Sequence, residues 1–382
     1  MTEETLPETA ERYLVSFAGE TGYLNWAALG PLSPAVRAAL DSAGEKLASF
    51  SPRDHARVQS SSAEAVAALA GLLGARTDEV VLRPSSTDAL QHALYGLTGT
   101  VIAATSEFPS ITLPLQRAAD LSEGRLSPRW IDPQDGWVTA DAVGAALDAS
   151  VTALAVSHVD YRTGYRADLA ALRELIGPER LLIVDAVQSF GVVEEDWSAA
   201  DVVVGHGYKW LRAGRGTGFA RFSDAARERI APVLSGITGL AASGPFRGAV
   251  PAPAATARAY TTSVPDHLAS ARLAAALHEL HGVGVAEVES RVSENVARMI
   301  DMAARHGIRV ETPREPQRRA GIVSLVPDDA EALGAALADA GLVLTSRASA
   351  VRVAAHAGTS EETLDMLDAA LGASGRRSFT GT

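Results

Sequence analysis

The sequence predicts an α/β fold, with a mainly parallel sheet between helices in a large domain and a smaller α+β domain at the C-terminal end. Three observations carry this. Apolar runs of strand length, Leu181-Leu182-Ile183-Val184 and Val202-Val203-Val204, do not alternate with polar residues and so read as strands buried on both faces. Segments of helical period, such as residues 62–74, lie between strand-like runs. From about Ala241 to Ala257 the composition turns to Ala, Gly and Pro, with Pro245, Pro251 and Pro253, and beyond it helices and short strands alternate again. The expected division is an arm over residues 1–20, a large domain over 21–250 and a small domain over 251–382.

Taken in order, residues up to about Glu20 carry few signals. Tyr23-Leu24-Asn25-Trp26 leads through Gly30-Pro31 to Ser33-Pro34, where Ser caps a helix and Pro takes its first turn. The helix over Ser62–Gly74 ends at glycine, and Glu79–Arg83 follows as a strand. Pro84-Ser85-Ser86-Thr87 opens the next helix. Free amides and hydroxyls at a helix start attract anions, although most such serines are only caps. Strands follow at Thr100–Ala104, Val151–His158, Leu181–Asp185, Val202–Val204 and Gly218–Phe222. A helix starts near Pro265, and the last third holds helices over 285–304 and 330–340 with strands at 321–325 and 351–356.

Composition narrows the function classes. The 382 residues are 47% hydrophobic and 21% charged, enough for a large core. A net charge of -12 and a pI of about 5.3 argue against nucleic acid as a partner. Cysteine is absent, which excludes disulfides and thiolate metal sites, and no metal is expected. Met1-Thr2-Glu3-Glu4-Thr5 lacks the basic and apolar regions of a signal peptide, and no apolar run reaches the roughly 18 residues of a membrane span, so a cytoplasmic protein is expected.

The chemistry centres on Gly205-His206-Gly207-Tyr208-Lys209-Trp210-Leu211-Arg212, set between two strands. A lysine at a strand end is partly desolvated, loses its proton readily and becomes a nucleophilic amine, as a Schiff-base lysine must. Asp185 ends the neighbouring apolar run, and a carboxylate there suits the ring nitrogen of pyridoxal 5'-phosphate. The two side chains would face one crevice at the strand ends. The run Gly214-Arg215-Gly216-Thr217-Gly218 leads into a strand rather than a helix, so a dinucleotide or P-loop reading fails and a tight turn is expected.

Val184-Asp185-Ala186-Val187-Gln188-Ser189-Phe190-Gly191 followed by Tyr208-Lys209-Trp210-Leu211 resembles the class V aminotransferase family of fold-type I pyridoxal phosphate enzymes, which includes cysteine desulfurases, kynureninases and isopenicillin-epimerase-like proteins. The likeness runs from about Tyr23 to about Leu371 and implies a seven-stranded sheet. It also implies that Lys209 holds the cofactor as an aldimine and Asp185 keeps its ring protonated. By the same resemblance Ser86 and Thr87 hold the phosphate, with serine where the family usually has glycine. Phe108 lies on the pyridine face, or else is a core phenylalanine. Tyr161, where desulfurases have Asn, approaches the cofactor oxygen or the substrate. Gln188 bonds the phenolic oxygen, while His206 and Tyr208 reach the phosphate where desulfurases have Ser and His.

On the substrate side, Arg352 matches the arginine that clamps a carboxylate, with Arg347 and His356 flanking it; without the resemblance it reads as a surface charge. Asn25, Trp26 and Arg162 are further substrate-side candidates, and an ordinary turn accounts for the first two equally well. His158 reads equally as a buried histidine or a catalytic one. The segment Arg258–Pro265 implies a homodimer in which Ser263 reaches the partner's phosphate site, because Val264 stands where Thr is usual. The reaction expected is transamination of an amino acid. Beta-elimination, such as C-S lysis, and epimerisation remain open, as does a silent module that only binds the cofactor. A desulfurase using its own thiolate is excluded, and an NAD enzyme lacks its glycine motif.

Overall fold

The computed structural model describes residues 8–49, 51–133, 135–242 and 248–377. The acidic start at Met1–Thr5 and Pro245 lie outside them. Seven strands form the large sheet: β1 (Val80–Arg83), β2 (Gly99–Ala104), β3 (Leu126–Ile131), β4 (Val151–Ser157), β5 (Leu181–Asp185), β6 (Val202–His206) and β7 (Gly218–Phe222). Their order is β1-β7-β6-β5-β4-β2-β3, with β7 antiparallel to both neighbours and every other pair parallel. The first helices are α1 (Glu8–Val15), α2 (Pro34–Ala48), α3 (Pro52–Leu72), α4 (Ser86–Leu94), α5 (Pro109–Leu121), α6 (Ala140–Gly144), α7 (Leu169–Ile176) and α8 (Asp224–Arg229).

The apolar runs are buried on both faces because each face meets its own helical layer. In β5, Leu182 and Val184 join one core and Leu181 and Ile183 the other. Such a strand has no wet side, and so no alternation. Strand β3 is the reverse case. It sits at the sheet edge, half-exposed and carrying Pro128, a residue an edge tolerates, and it lacks the apolar run that marks the others. Helix α3 begins ten residues before the periodic segment at Ser62, capped by Ser51 with Pro52 behind it. Its first half is polar, so its period carries no apolar signal.

A second, antiparallel sheet has the order β10-β11-β9-β8, from β8 (Arg309–Val310), β9 (Ile322–Val326), β10 (Thr345–Ser346) and β11 (Val351–Ala354). The remaining helices are α9 (His267–Val283), α10 (Val285–Arg305), α11 (Ala330–Asp339) and α12 (Glu361–Arg377). Strands of two residues are too short to leave a period. Two segments cross the sequence division at residue 251, which we keep as a proposal about folding units. Helix α9 packs on α2 and α3. In the other direction, residues 22–25 bond into the small sheet region, with Leu24 N donating to Val343 O (2.9 Å) and Ala354 N to Leu24 O (2.8 Å).

Candidate active site

The crevice opens at the carboxyl ends of β1, β2, β4, β5 and β6, where parallel strands deliver their last side chains to one edge. Its cavity volume is about 110 Å³, lined by residues from Ser85 to Thr87, Phe108, Ser157, Tyr161, Asp185, Gln188, Tyr208, Lys209 and Arg215 among others.

Asp185 ends β5, and its Oδ1 accepts the amide of Val187 (2.9 Å). Burial raises the Asp185 carboxyl above the usual carboxylate range, while that amide and Lys209 pull it back. Lys209 is only 6% exposed. Desolvation pushes its ammonium down to about 7, Asp185 opposes, and Arg352, Arg215 and Arg347 push the same way as burial. Burial outweighs the attraction between the two groups, since each moves toward its neutral form.

The lysine is held by its backbone. Arg212 N donates to Lys209 O (3.0 Å) and Ala213 N to Gly207 O (2.8 Å), closing a turn. Gly30 N donates to Tyr208 O (2.8 Å), and a Cβ at Gly30 would lie 2.0 Å from the Lys209 carbonyl oxygen. Only glycine lets that segment press on the lysine turn. Arg212 itself has φ +57, a left-handed conformation that costs a non-glycine residue on the order of 1 kcal/mol. Its guanidinium fixes the turn by donating to Ser16 Oγ (2.7 Å), Ser16 O (2.9 Å) and Pro31 O (3.2 Å).

At the α4 start, Ser85 Oγ takes the amide of Asp88 (3.1 Å) and Ser85 O that of Ala89 (3.1 Å), which leaves the Ser86 and Thr87 amides facing the anion end. Thr87 Oγ1 lies 2.6 Å from Ser110 Oγ. Arg215 supplies positive charge here, 4.9 Å over the Tyr208 ring. His206 is braced on both nitrogens: Nδ1 accepts the Tyr208 amide (3.2 Å) and the other nitrogen bonds the Pro84 carbonyl. Burial, helped by Lys209, holds it neutral down to about pH 4. A bond from His206 to a phosphate would have to replace one of these.

Around the ring position, Phe108 caps α5 and packs edge-on against Tyr161 at 5.0 Å. Gln188 accepts from Trp210 Nε1 (3.0 Å) and donates to Ala27 O (3.0 Å), which fixes its amide orientation and leaves one N–H for a ligand. Beneath Phe108 lies a group the sequence reading missed. Glu107 is buried and accepts from Ser157 N (3.0 Å) and Ser157 Oγ (2.5 Å). Burial pushes its carboxyl up to about 7, and Asp160 and Asp185 add to the push. The one signal in the sequence was the pairing of strand ends, since Ser157 stands beside Asp185 in the sheet.

The substrate-side residues separate. Arg352 is buried on β11, just behind Tyr161 and not on the crevice lining itself. It donates to Tyr161 O (2.7 Å) and Thr345 Oγ1 (3.4 Å), and its Nε has no hydrogen-bond partner among the described residues. Thr345 Oγ1 in turn donates to Asn25 Oδ1 (2.7 Å), so Asn25 stands behind the arginine. Trp26 is buried among Phe17, Tyr23 and His356, away from the crevice. Arg162 is committed to Asp160 Oδ2 (3.0 Å) and Gly136 O (3.2 Å). His158 faces Trp197 and Glu195, and His356 donates to Trp210 O (2.8 Å), both outside the crevice. Ser263 is exposed and borders a separate hollow with Arg83, Pro84 and Gly216.

A family model described as aminotransferase class-V matches residues 41–380. The chain belongs to the class V aminotransferase family. Among curated members, an uncharacterized aminotransferase of Bacillus subtilis is 27% identical over 295 residues, covering 75% of this chain and 76% of the relative. A kynureninase of Deinococcus radiodurans is 30% identical, with 72% and 68% covered. A cysteine desulfurase from Thermococcus onnurineus shares the fold at a TM-score of 0.84 and 20% identity over 98% of this chain and 99% of that one. A cystine C-S lyase does so at 0.83 and 20% over 93% and 98%. The cofactor of this class V enzyme is pyridoxal 5'-phosphate. The residues present fit it: an amine near its neutral form, a buried carboxylate at the next strand end, and a helix start with two uncommitted amides. Among the described residues no helix is long and apolar enough to cross a membrane.

Proposed function

We propose that this class V enzyme is an aminotransferase acting at the α carbon of an amino acid, with Lys209 as the residue that moves the proton. The observation that carries the reading is Lys209, buried, brought to about 7 and set beside Asp185. Bound pyridoxal phosphate supplies an electron sink for the carbanion formed at the substrate. Asp185 would hold a proton on the ring nitrogen, and Ser86, Thr87, Tyr208 and Arg215 would hold the phosphate. Phe108 would cover the ring face. Gln188 would offer its remaining N–H to the phenolic oxygen, and Tyr161 would stand at the entrance.

Arg352 takes the α-carboxylate through donors that no acidic side chain occupies, and Asn25 steadies it through Thr345. Near pH 7 the Lys209 amine both accepts and returns a proton, as transamination requires. The name of the Bacillus relative supports transamination. The absence of cysteine speaks against sulfur transfer to a thiolate of the chain. Trp26, Arg162 and His206 enter as supports of the site, and Ser263 as a partner-chain phosphate ligand in a homodimer.

The deciding experiment adds single amino acids to the purified yellow holoenzyme. Bleaching to the amine form of the cofactor, with an oxo acid formed, is expected. A persistent yellow band with pyruvate and ammonia released would replace transamination by beta-elimination. Lys209→Ala is expected to lose turnover by at least about 10⁴-fold, because among the described residues Lys209 is the only amine lining the crevice.

A further inference from the structure

Three guanidinium groups meet Tyr161, and one of them, Arg162 at 5.9 Å from its ring centroid, is paired with Asp160. Arg352 donates to the Tyr161 carbonyl oxygen, and the Arg347 guanidinium carbon lies 4.8 Å from the Tyr161 ring centroid. Arg347 sits in the turn between β10 and β11, which its own amide closes on Ala350 O (2.9 Å). Among the described residues its side chain has no hydrogen bond and no ion pair.

The chain holds 46 acidic residues against 34 basic ones, yet among the described residues no acid forms an ion pair with Arg352 or Arg347, and Asp160 only partly offsets the charge of Arg352 from a distance. Asp160, on the same loop as Tyr161, is spent on Arg162 (3.0 Å). Holding two like charges together in a partly dry site is unfavourable. The mutual repulsion is visible in Arg352, which burial and then Arg347 push down to about 10. One carboxylate offsets only one of these charges. Arg215 does not serve the same end, since it stands over Tyr208 on the phosphate side.

We infer that Arg347 is the receptor for a second anion, so that the preferred substrate is an amino acid with an acidic side chain: its α-carboxylate lies on Arg352 and its distal anion on Arg347, with Tyr161 between them. This rests on the placement of the α-carboxylate at Arg352 proposed above. A carboxylate, sulfinate or phosphonate side chain meets the same chemistry, and comparison of the corresponding amino acids as ligands separates them.

The test uses unreactive acids as probes, followed by their effect on the visible band of the holoenzyme. Wild type is expected to bind glutarate at least about tenfold more tightly than valerate, a difference of one charge at equal chain length. Arg347→Gln should bring glutarate down to the level of valerate. Arg352→Gln should weaken both. Equal binding of the two acids by wild type, or a preference that survives Arg347→Gln, overturns the inference. Should Arg352→Gln leave both affinities unchanged, the placement of the α-carboxylate fails instead, and the inference built on it falls too.

Discussion

On the large-sheet side of the crevice the buried acids and the histidine are tied down from within, whereas on the small-sheet side two cations have, among the described residues, no acid within ion-pair distance. Asp185 has the Val187 amide, Glu107 has both polar atoms of Ser157, and His206 has a partner on each nitrogen. Arg352 has one carbonyl and one hydroxyl, and Arg347 has only the face of Tyr161. A surface whose acids are fixed and whose free donors point one way is suited to one resident ligand. A surface with charge to spare is suited to ligands that come and go. On the function proposed above, the contrast divides a cofactor wall from a substrate wall.

The sharpest way to break this contrast is Arg352→Gln. If charge on the small-sheet side serves only the substrate, kcat/KM should fall by about 10²- to 10³-fold while the visible band of bound cofactor is unchanged. Loss of that band together with activity would mean that the two walls are not separate.

The large-sheet wall is tested by Glu107→Gln. The folded Glu107 carboxyl is raised from 4.5 to about 7, so its neutral form stabilises the fold fully below about pH 4.5, and that contribution is lost as the pH rises through 7. Above that, a buried charge is a penalty. The glutamine variant should therefore be more stable than wild type at pH 8, by up to roughly 3 kcal/mol, and converge with it below pH 5. Urea unfolding of the two holoenzymes at pH 5 and pH 8 measures this, and an equal difference at both values would remove the charge argument.

The smallest effect concerns the turn behind the lysine. Both Arg212→Ala and Arg212→Gly lose the bonds to Ser16 and Pro31, but only glycine accepts φ +57 without strain. The glycine variant should be the more stable of the two by about 1 kcal/mol, read as a higher Tm.

These two walls were unequally legible in the sequence. Asp185 and Lys209 stood at the ends of apolar runs, and a buried strand ending in a charge is a local pattern. The mainly parallel sheet followed from the same runs and its seven strands from the family resemblance, but not their order, and β3, short of apolar residues at the sheet edge, left no trace. Glu107 gave no sign of its burial, because what encloses it is the end of β4, fifty positions away in sequence. Among the arginines, Arg162 and Arg347 look alike in sequence. Whether a cation is free depends on which acids fold next to it, and Asp160 neutralises one and not the other. Trp26 was read toward the substrate, and the structure turns it into an aromatic cluster around His356.

The stitch between the beginning and the end of the chain has a consequence for biosynthesis. Asn25 supports the Arg352 network through Thr345, 320 positions later. Residues 22–25 have no strand to join until Val343 and Ala354 have left the ribosome. All strands of the large sheet are synthesised by Phe222, well before the partners of residues 22–25, so these N-terminal residues must wait unpaired for most of synthesis. A working crevice is a property of the finished chain, and selectivity for substrate is the last thing the protein acquires.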